Sequence, residues 1–406
     1  MARKHRDHTQ LLEMAMGGPL TGIRVLDVTH YAVGPWACAL LGQMGADVIK
    51  IEPPEGDYLS RQPPPWKNGI TTVYISMNVN KRIAQWDLRD ELIRDAVREL
   101  VLKSDVIIEN HRPGFMERRG LGYADVSKIN PRIVYCSSSG YGSRGPYQQL
   151  GSTDPYGQAI SGFASVSGFR GERPEGLKQG GHIDLTTSQY IVAGVLAALY
   201  RRSVTGRGQL VDMSQMQAAV AYASPRAAEY FATGEDPVPM GSGVANVVPS
   251  RAYRASDGQY INLSANSEPE WQRLCAALEV HDLAMDPRLQ ANAGRVAHRE
   301  LVDQAVASVI AGMPADHWLD VLEDARVPSG RYFTYNNLRV SEQVRVQRML
   351  EDFWSPWGRV TVGGLPWHFS RTPGSLSPTH RPGEDSEALL EEYLPSSANH
   401  SEAVAQ

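Results

Sequence analysis

The sequence predicts an α/β protein: a large domain on an open parallel sheet with helices on both faces, followed by a smaller α+β domain. Three observations carry this. Short apolar runs alternate with helix-spaced segments through the first half of the 406 residues, the pattern that packs helices over parallel strands. Pro35 stands where a helix between the first two runs would open. Beyond Val220 the texture turns to glycine-containing loops and separate helical stretches.

In chain order, Ile23 to Val28 and Val48 to Ile51 are short buried strands, and Pro35 to Met44 between them is a helix with Pro35 at its first position, which makes a β-α-β unit. Glu91 to Lys103 repeats apolar residues at helical spacing, and Val106 to Ile108 and Ile133 to Tyr135 read as further strands. Leu185 to Tyr200 is apolar nearly all round, as a helix buried in a large domain is. Asp257-Gly258, between Tyr253 and Tyr260, reads as a hairpin turn. Helical patterns follow at Glu268 to Leu278, Arg295 to Ile310 and Asp316 to Glu323, and Pro328-Ser329-Gly330 closes that domain. From about Arg345 a tail punctuated by Pro356, Pro366, Pro373, Pro378 and Pro382 wraps the rest. The expected organisation is a leader over 1–18, a large domain over 19–225, a small domain over 226–344 and a C-terminal segment over 345–406.

A content of 42% hydrophobic and 21% charged residues is that of an ordinary soluble globular protein. The formal charge of -5, with no long Lys/Arg run, points away from nucleic acid and towards small molecules or other subunits. Cys38, Cys136 and Cys275 lie far apart without C-x-x-C spacing, which fits a reducing cytoplasm. The leader carries Arg3, Lys4 and Arg6 but no apolar stretch of a signal peptide. The apolar run around Ile191 to Leu199 is too short to span a bilayer. Eleven histidines lack ligand spacing, so no metal site is expected. The segment His30-Tyr31-Ala32-Val33-Gly34-Pro35 after the first strand is not G-x-G-x-x-G, and NAD is not expected either.

The residue that stands out is Asp184, between the turn-like Gly180-Gly181-His182 and the apolar run from Leu185. An acid at a helix start is most often an N-cap. The same position favours an ionised carboxylate, because unpaired N–H groups and the helix dipole face it, and that is the form a nucleophile needs.

Ordered blocks along the chain bear on this choice. They begin with Pro19-Leu20-Thr21-Gly22-Ile23-Arg24-Val25-Leu26-Asp27 and Gly45-Ala46-Asp47-Val48-Ile49-Lys50-Ile51-Glu52-Pro53, and go on through Asn80-Lys81-Arg82 and Asp87-Leu88. Asp105-Val106-Ile107-Ile108-Glu109-Asn110-His111-Arg112-Pro113-Gly114 and Gly120-Leu121-Gly122 follow, then Gly140-Tyr141-Gly142 and Thr205-Gly206-Arg207-Gly208-Gln209. Asp257-Gly258, Trp271 and Asp286-Pro287-Arg288 close the series. From about residue 19 to about 385 the chain resembles the class III CoA-transferases.

The resemblance implies a Rossmann-like large domain, a small domain, a C-terminal segment returning to the large domain, and an interlocked dimer. It places Asp184 where these enzymes carry a nucleophilic aspartate, which attacks an acyl-CoA thioester and comes to hold CoA as an aspartyl thioester. CoA is then a substrate, no tightly bound cofactor is implied, and the partners are acyl-CoA and a small carboxylic acid. By family position the CoA contacts are Ala32, Val33, Trp86, Arg89, Asn110, His111 and Arg118. The family more often has Leu at Trp86 and Phe at His111, and either arginine reads equally as a solvated surface charge. Gly241-Ser242-Gly243 matches a mobile loop that shields the intermediate in some members, or is a plain surface turn. Thr153, Tyr156, Gln158 and His182 are polar groups that could orient the acid, each with a packing role as the alternative. Two other readings stay open: an α-methylacyl-CoA racemase, although racemases carry histidine where Thr153 stands, and a partner subunit of a heteromeric transferase. Threonine is no base at neutral pH.

Overall fold

The computed structural model describes residues 17–173, 175–177 and 180–394. The expected leader lies outside the described residues as far as residue 16. The chain divides into two compact units: Met1–Ala164 with Gly176–Glu235 and Gln343–Gln406, and Ser165–Glu175 with Asp236–Glu342.

The first unit is built on a six-stranded parallel sheet in the order Lys81–Gln85, Asp47–Glu52, Arg24–Val28, Val106–Glu109, Val134–Ser139, Leu210–Ser214. Val25 of the central strand registers with Val48 on one side and Val106 on the other. Strands covered on both faces need apolar residues in near-continuous runs, and the alternate residues here serve different cores. Leu26, Ile49, Ile107 and Tyr135 pack with Ala96, Val97 and Leu100 of the helix Glu91–Leu102. On the opposite face Val25, Val48, Val106 and Val134 meet the helices Val33–Gln43 and His182–Thr205. The strand Lys81–Gln85 carries no such apolar signature, because Lys81 is buried in an ion pair with Asp27, at 2.9 Å.

Several expectations are corrected. The helix after the first strand opens at Val33, so Pro35 is its third residue, still inside the turn whose N–H groups lack intrahelical partners. The long helix begins at His182 and is capped by Gly181 at φ 90°, which puts Asp184 in its first turn and not at the cap. At 24 residues this helix is, by length and composition alone, long and apolar enough to cross a membrane, contrary to the estimate from Ile191 to Leu199. It is a core helix, with Ile191, Val195 and Ala198 packed against the sheet and Thr187, Ser188 and Arg202 buried polar residues. Nor is it buried all round: Tyr190 and Tyr200 on its outer face are 42% and 75% exposed, since a helix on a sheet covers only the stripe that touches it. The boundary expected at 226 falls inside the helix Gln215–Thr233, which tolerates Pro225, and the unit runs on to Glu235.

The tail contains a hairpin, Leu350–Ser355 with Gly358–Gly363, and a helix, Ser386–Tyr393. Leu389 and Tyr393 join the core beside Glu91–Leu102. Just before and within that helix, Asp385 Oδ2 accepts from the Ile83 N–H at 2.7 Å and Ser386 Oγ from the Gln85 N–H at 2.9 Å, along the open edge of the sheet.

The second unit has an antiparallel sheet, Ser329–Arg331, Tyr260–Ser264 and Ser250–Arg254, whose Asp257-Gly258 turn is closed by the Gln259 N–H donating to Asp257 Oδ1. Trp271, Val302, Val306, Trp318 and Leu322 fill its core. The single helix expected over Arg295 to Ile310 is two, Asn292–Ala297 and Arg299–Ile310. Arg295 is drawn fully into the core, where its guanidinium donates to the Val248 and Leu289 carbonyls and pairs with Glu268, and the chain breaks at His298.

Candidate active site

In an open parallel sheet, ligands bind beyond the carboxyl ends of the strands, and here the loops after Val28, Glu52, Glu109 and Ser139 meet. The first of them is held from below by buried charge. Lys50 Nζ donates to the Thr29 carbonyl at 2.8 Å and pairs with Asp57 at 3.2 Å, while Lys81 Nζ donates to the Pro35 carbonyl at 2.8 Å. The Tyr31 N–H, at a residue with φ 68°, donates to both Asp57 oxygens. Asn110 closes the loop from the other side, its amide accepting from the His30 N–H and donating to the His30 carbonyl. Asn110 therefore fixes backbone, and its side chain is already engaged.

Asp184 opens on a cleft of about 340 Å³ lined by Tyr31, Ala32, Val33, Asn110, Ser152, Thr153 and Gln215 among others. The residue is 5% exposed, and burial, reinforced by the neighbouring Asp154 carboxylate and opposed by the Gln215 amide, pushes its pKa up to about 7. The helix terminus does not keep it ionised as expected. The first-turn N–H groups of Ile183 and Asp184 are taken by Asp154 Oδ1, at 2.6 and 3.3 Å, so they are not free to stabilise Asp184. Gln215 Nε2 donates to Asp184 Oδ1, and Ser152 Oγ donates to Gln215 Oε1 at 2.5 Å, so both ends of the amide are engaged. Gly181 leaves room beside this carboxyl: a Cβ there would lie 3.0 Å from Asp184 Oδ2.

Sequence reasoning missed Gln215, Ser152 and the charge of Asp154. Gln215 opens a helix directly after the strand Leu210–Ser214, with Ser214 capping the Gln217 N–H. An S-x-x-Q start following a strand end was the available signal. Of the weaker candidates, Thr153 lines the cleft with its hydroxyl uncommitted to capping. Tyr156 is 59% exposed and is not among the lining residues. Gln158 is spent on Asp154 and the Leu177 carbonyl, and His182 stacks against Phe163 and edge-on to Tyr222.

A second, larger cleft of about 550 Å³ shares His30 and Tyr58 with the first and is lined further by Pro53, Trp86, Arg89, His111, Phe115 and Arg119. Trp86 is 4% exposed and its indole N–H donates to the Ser386 carbonyl, so little of its ring is open for stacking. His111 lies between the His30 and Phe115 rings, at 4.9 and 3.9 Å, with both faces taken. Burial pushes its pKa down to about 3, which leaves it uncharged at neutral pH. Arg89 reaches the cleft with its fork on Asp87. Arg118 is exposed and not among the lining residues. The neighbouring Arg119 lines the cleft instead, with its guanidinium 3.6 Å from the Phe115 ring centroid and its buried Nε without a hydrogen-bond partner.

Gly241-Ser242-Gly243 belongs to the second unit. There the Gly241 N–H donates to the Gly168 carbonyl and Ser242 Oγ accepts from the Ala252 N–H.

Comparison with known proteins gives one family. The model of CoA-transferase family III matches residues 20–386. The acetyl-CoA:oxalate CoA-transferase of Acetobacter aceti is 32% identical over 381 residues, 93% of this chain and 96% of that protein. The succinyl-CoA:glutarate CoA-transferase of Homo sapiens is 30% identical over 380 residues, 93% of this chain and 86% of that protein. Among solved structures, a CAIB/BAIF family protein from Brucella suis aligns with a TM-score of 0.83 at 30% identity, covering 93% of this chain and all of that one.

Proposed function

Since the chain belongs to CoA-transferase family III, we propose that it moves CoA from an acyl-CoA thioester to a carboxylic acid through an aspartyl-CoA thioester on Asp184. An ionised Asp184 oxygen attacks the thioester carbonyl, the C–S bond breaks, and a mixed anhydride and CoA thiolate result. The thiolate attacks Asp184 Cγ and expels the donor acid as its carboxylate. The acceptor carboxylate then attacks the aspartyl thioester, releasing thiolate, which takes the new acyl group from the second anhydride and restores Asp184. Each step exchanges one carboxylate for one thiolate, so no net proton moves.

The observation that carries this reading is a buried carboxylate at the mouth of a cleft, held on one oxygen by Gln215 and with a pKa near neutrality. Ala32 and Val33 line the same cleft, and the larger cleft beside it, with Arg89 and Arg119, is where we put the CoA nucleotide. The phosphates would pair with guanidinium groups. Acyl-CoA followed by hydroxylamine should inactivate the protein and leave a hydroxamate on the Asp184 peptide by mass spectrometry. Modification elsewhere with Asp184 untouched, or full turnover by Asp184→Ala, refutes the mechanism. An interlocked homodimer belongs to the same proposal, supported by Tyr190, Tyr200 and Phe231, which the single chain leaves exposed. Light scattering after size exclusion tests it, and a monomer contradicts it. The three buried free cysteines support a cytoplasmic setting.

A further inference from the structure

We propose that Tyr31 selects the acid substrate, and that this acid is a monocarboxylic acid bearing an aromatic ring; the proposal rests on the acyl transfer at Asp184 inferred above. The cleft on which Asp184 opens has a lining of two kinds. Tyr31, Ala32, Val33 and Tyr58 make one part of it apolar and aromatic. That part is the surface of a core cluster: Ala32 packs with Leu59, Ile70 and Tyr74, and both Tyr31 and Leu185, the residue after Asp184, lie against the same cluster. The rest of the lining is polar and held in place. Ser152 donates to the Gln215 amide that holds Asp184, and a Cβ on Gly140 would sit 2.5 Å from Ser152 Cβ, so the Gly151-Ser152 strap is fixed against the sheet end.

The backbone of Tyr31 singles it out. Its φ of 68° is left-handed, a conformation that glycine adopts freely and that costs a residue with a Cβ. A large aromatic kept there answers to what its side chain does, and the surroundings fix it in that state. Its N–H donates to both oxygens of the buried Asp57, which Lys50 pairs in turn. Its hydroxyl accepts from Gln62 Nε2 at 2.8 Å, and its ring lies nearly parallel to that of Tyr58, at 13° and 6.4 Å between centroids. A ring fixed in this way loses little freedom when a ligand packs on it.

Charge points the same way. Among the described residues no Lys or Arg lines the cleft of Asp184. Arg61, Arg89 and Arg119 line the larger cleft, and Arg112 lines a separate one of about 200 Å³. His30, which does line it, is kept uncharged at neutral pH because burial pushes its pKa down. A second carboxylate taken into this cleft would therefore be buried without a cation in its lining, whereas an aromatic ring gains both by leaving water and by offset or edge contact with tyrosine. The ring is remote from the reacting carbonyl and keeps these contacts in free acid, anhydride and thioester. Such uniform binding acts on KM and leaves kcat nearly unchanged.

The test measures transfer from acetyl-CoA to phenylacetate, cyclohexylacetate, propionate and glutarate. Wild type should favour phenylacetate over the other three, and the saturated ring separates aromatic contact from size. Tyr31→Leu should lower the phenylacetate-to-cyclohexylacetate ratio of kcat/KM roughly 3- to 10-fold, through KM. Tyr31→Phe, which loses only the Gln62 contact, should keep the preference. A wild type that favours glutarate or propionate, or a ratio unmoved in Tyr31→Leu, overturns the assignment while the transfer reading stands. A fall in kcat for all four acids alike shows a displaced loop and overturns it too. Calorimetric titration with phenylacetate separates the remaining cases. If wild type transfers to no acid but binds phenylacetate, and Tyr31→Leu binds it several-fold more weakly, the transfer reading fails and the aromatic site stands. If neither transfer nor binding occurs, both fall.

Discussion

Gln215→Met removes the one side-chain donor to the Asp184 carboxyl among the described residues while keeping the volume of residue 215. A hydrogen bond to a buried carboxylate is worth about 1.5–3 kcal/mol, so its loss, at about 1.36 kcal/mol per unit, raises the pKa of the acceptor by roughly 1–2 units. Asp184 starts at about 7, so the variant should titrate near 8 to 9. Only the ionised form attacks, and the ionised fraction at neutral pH falls from about one half to about one tenth or one hundredth. Turnover at pH 7 should fall roughly 5- to 50-fold and recover as pH rises past the new pKa. The assay is the pH profile of kcat/KM, which reports the free enzyme. Ser152→Ala should move the acid limb the same way by less, since it frees the amide to turn. A uniform loss at every pH with an unmoved acid limb would refute the electrostatic role of Gln215 and leave only packing.

Asp184→Asn should stabilise the protein in alkaline solution. The folded pKa of about 7 lies above the ordinary aspartate value of 3.8, so folding is favoured by this group below the unfolded pKa and the advantage is lost as pH rises to about 7; the full difference is roughly 4 kcal/mol. Melting temperatures of Asp184→Asn and wild type should differ at pH 8 and converge towards pH 4, and equal curves at pH 8 would contradict the raised pKa. Arg119→Ala should raise KM for acyl-CoA about tenfold while Arg118→Ala changes it little, because only Arg119 lines the large cleft; the reverse order would restore the assignment by family position. Gly140→Ala forces a Cβ to within 2.5 Å of Ser152 Cβ, and displacing that strap should cost roughly tenfold or more in kcat with the far-UV spectrum unchanged. A chiral 2-methylacyl-CoA in deuterated water should show no α-exchange, since Thr153 offers no base; rapid enzyme-dependent exchange would favour the racemase reading.

Much of the sheet is legible in the sequence because doubly covered strands must be apolar throughout. Arg24–Val28, Asp47–Glu52 and Val106–Glu109 announce themselves for that reason. Lys81–Gln85 does not, because its buried lysine answers a charge on another strand, Asp27, 54 positions away. The same limit governs the candidate site. Asp184 is visible as an acid before an apolar run, but its surroundings depend on Asp154 and Gln215, 30 and 31 positions distant, which no local spacing brings together. The exchange of Arg118 for Arg119 has a similar origin. In the short turn Glu117–Arg119 adjacent side chains point apart, and only the backbone path decides which one meets Phe115.

The tail that seals the sheet edge has a consequence for how the protein comes into being. Thr379 donates to the Ile75 carbonyl, the Asp385 N–H to the Ile83 carbonyl, and the Trp86 indole to Ser386, contacts that span about three hundred positions. Non-local closures of this length form late, after the loop entropy of the whole intervening chain has been overcome. During synthesis the strand Lys81–Gln85 therefore waits with a bare row of N–H and C=O groups, the kind of edge that pairs with other chains. The larger cleft waits with it, because Trp86 in its wall is held by a residue synthesised about three hundred positions later. Acyl-CoA supplied during refolding should bind only after this edge has closed, which makes ligand binding a reporter of the final folding step.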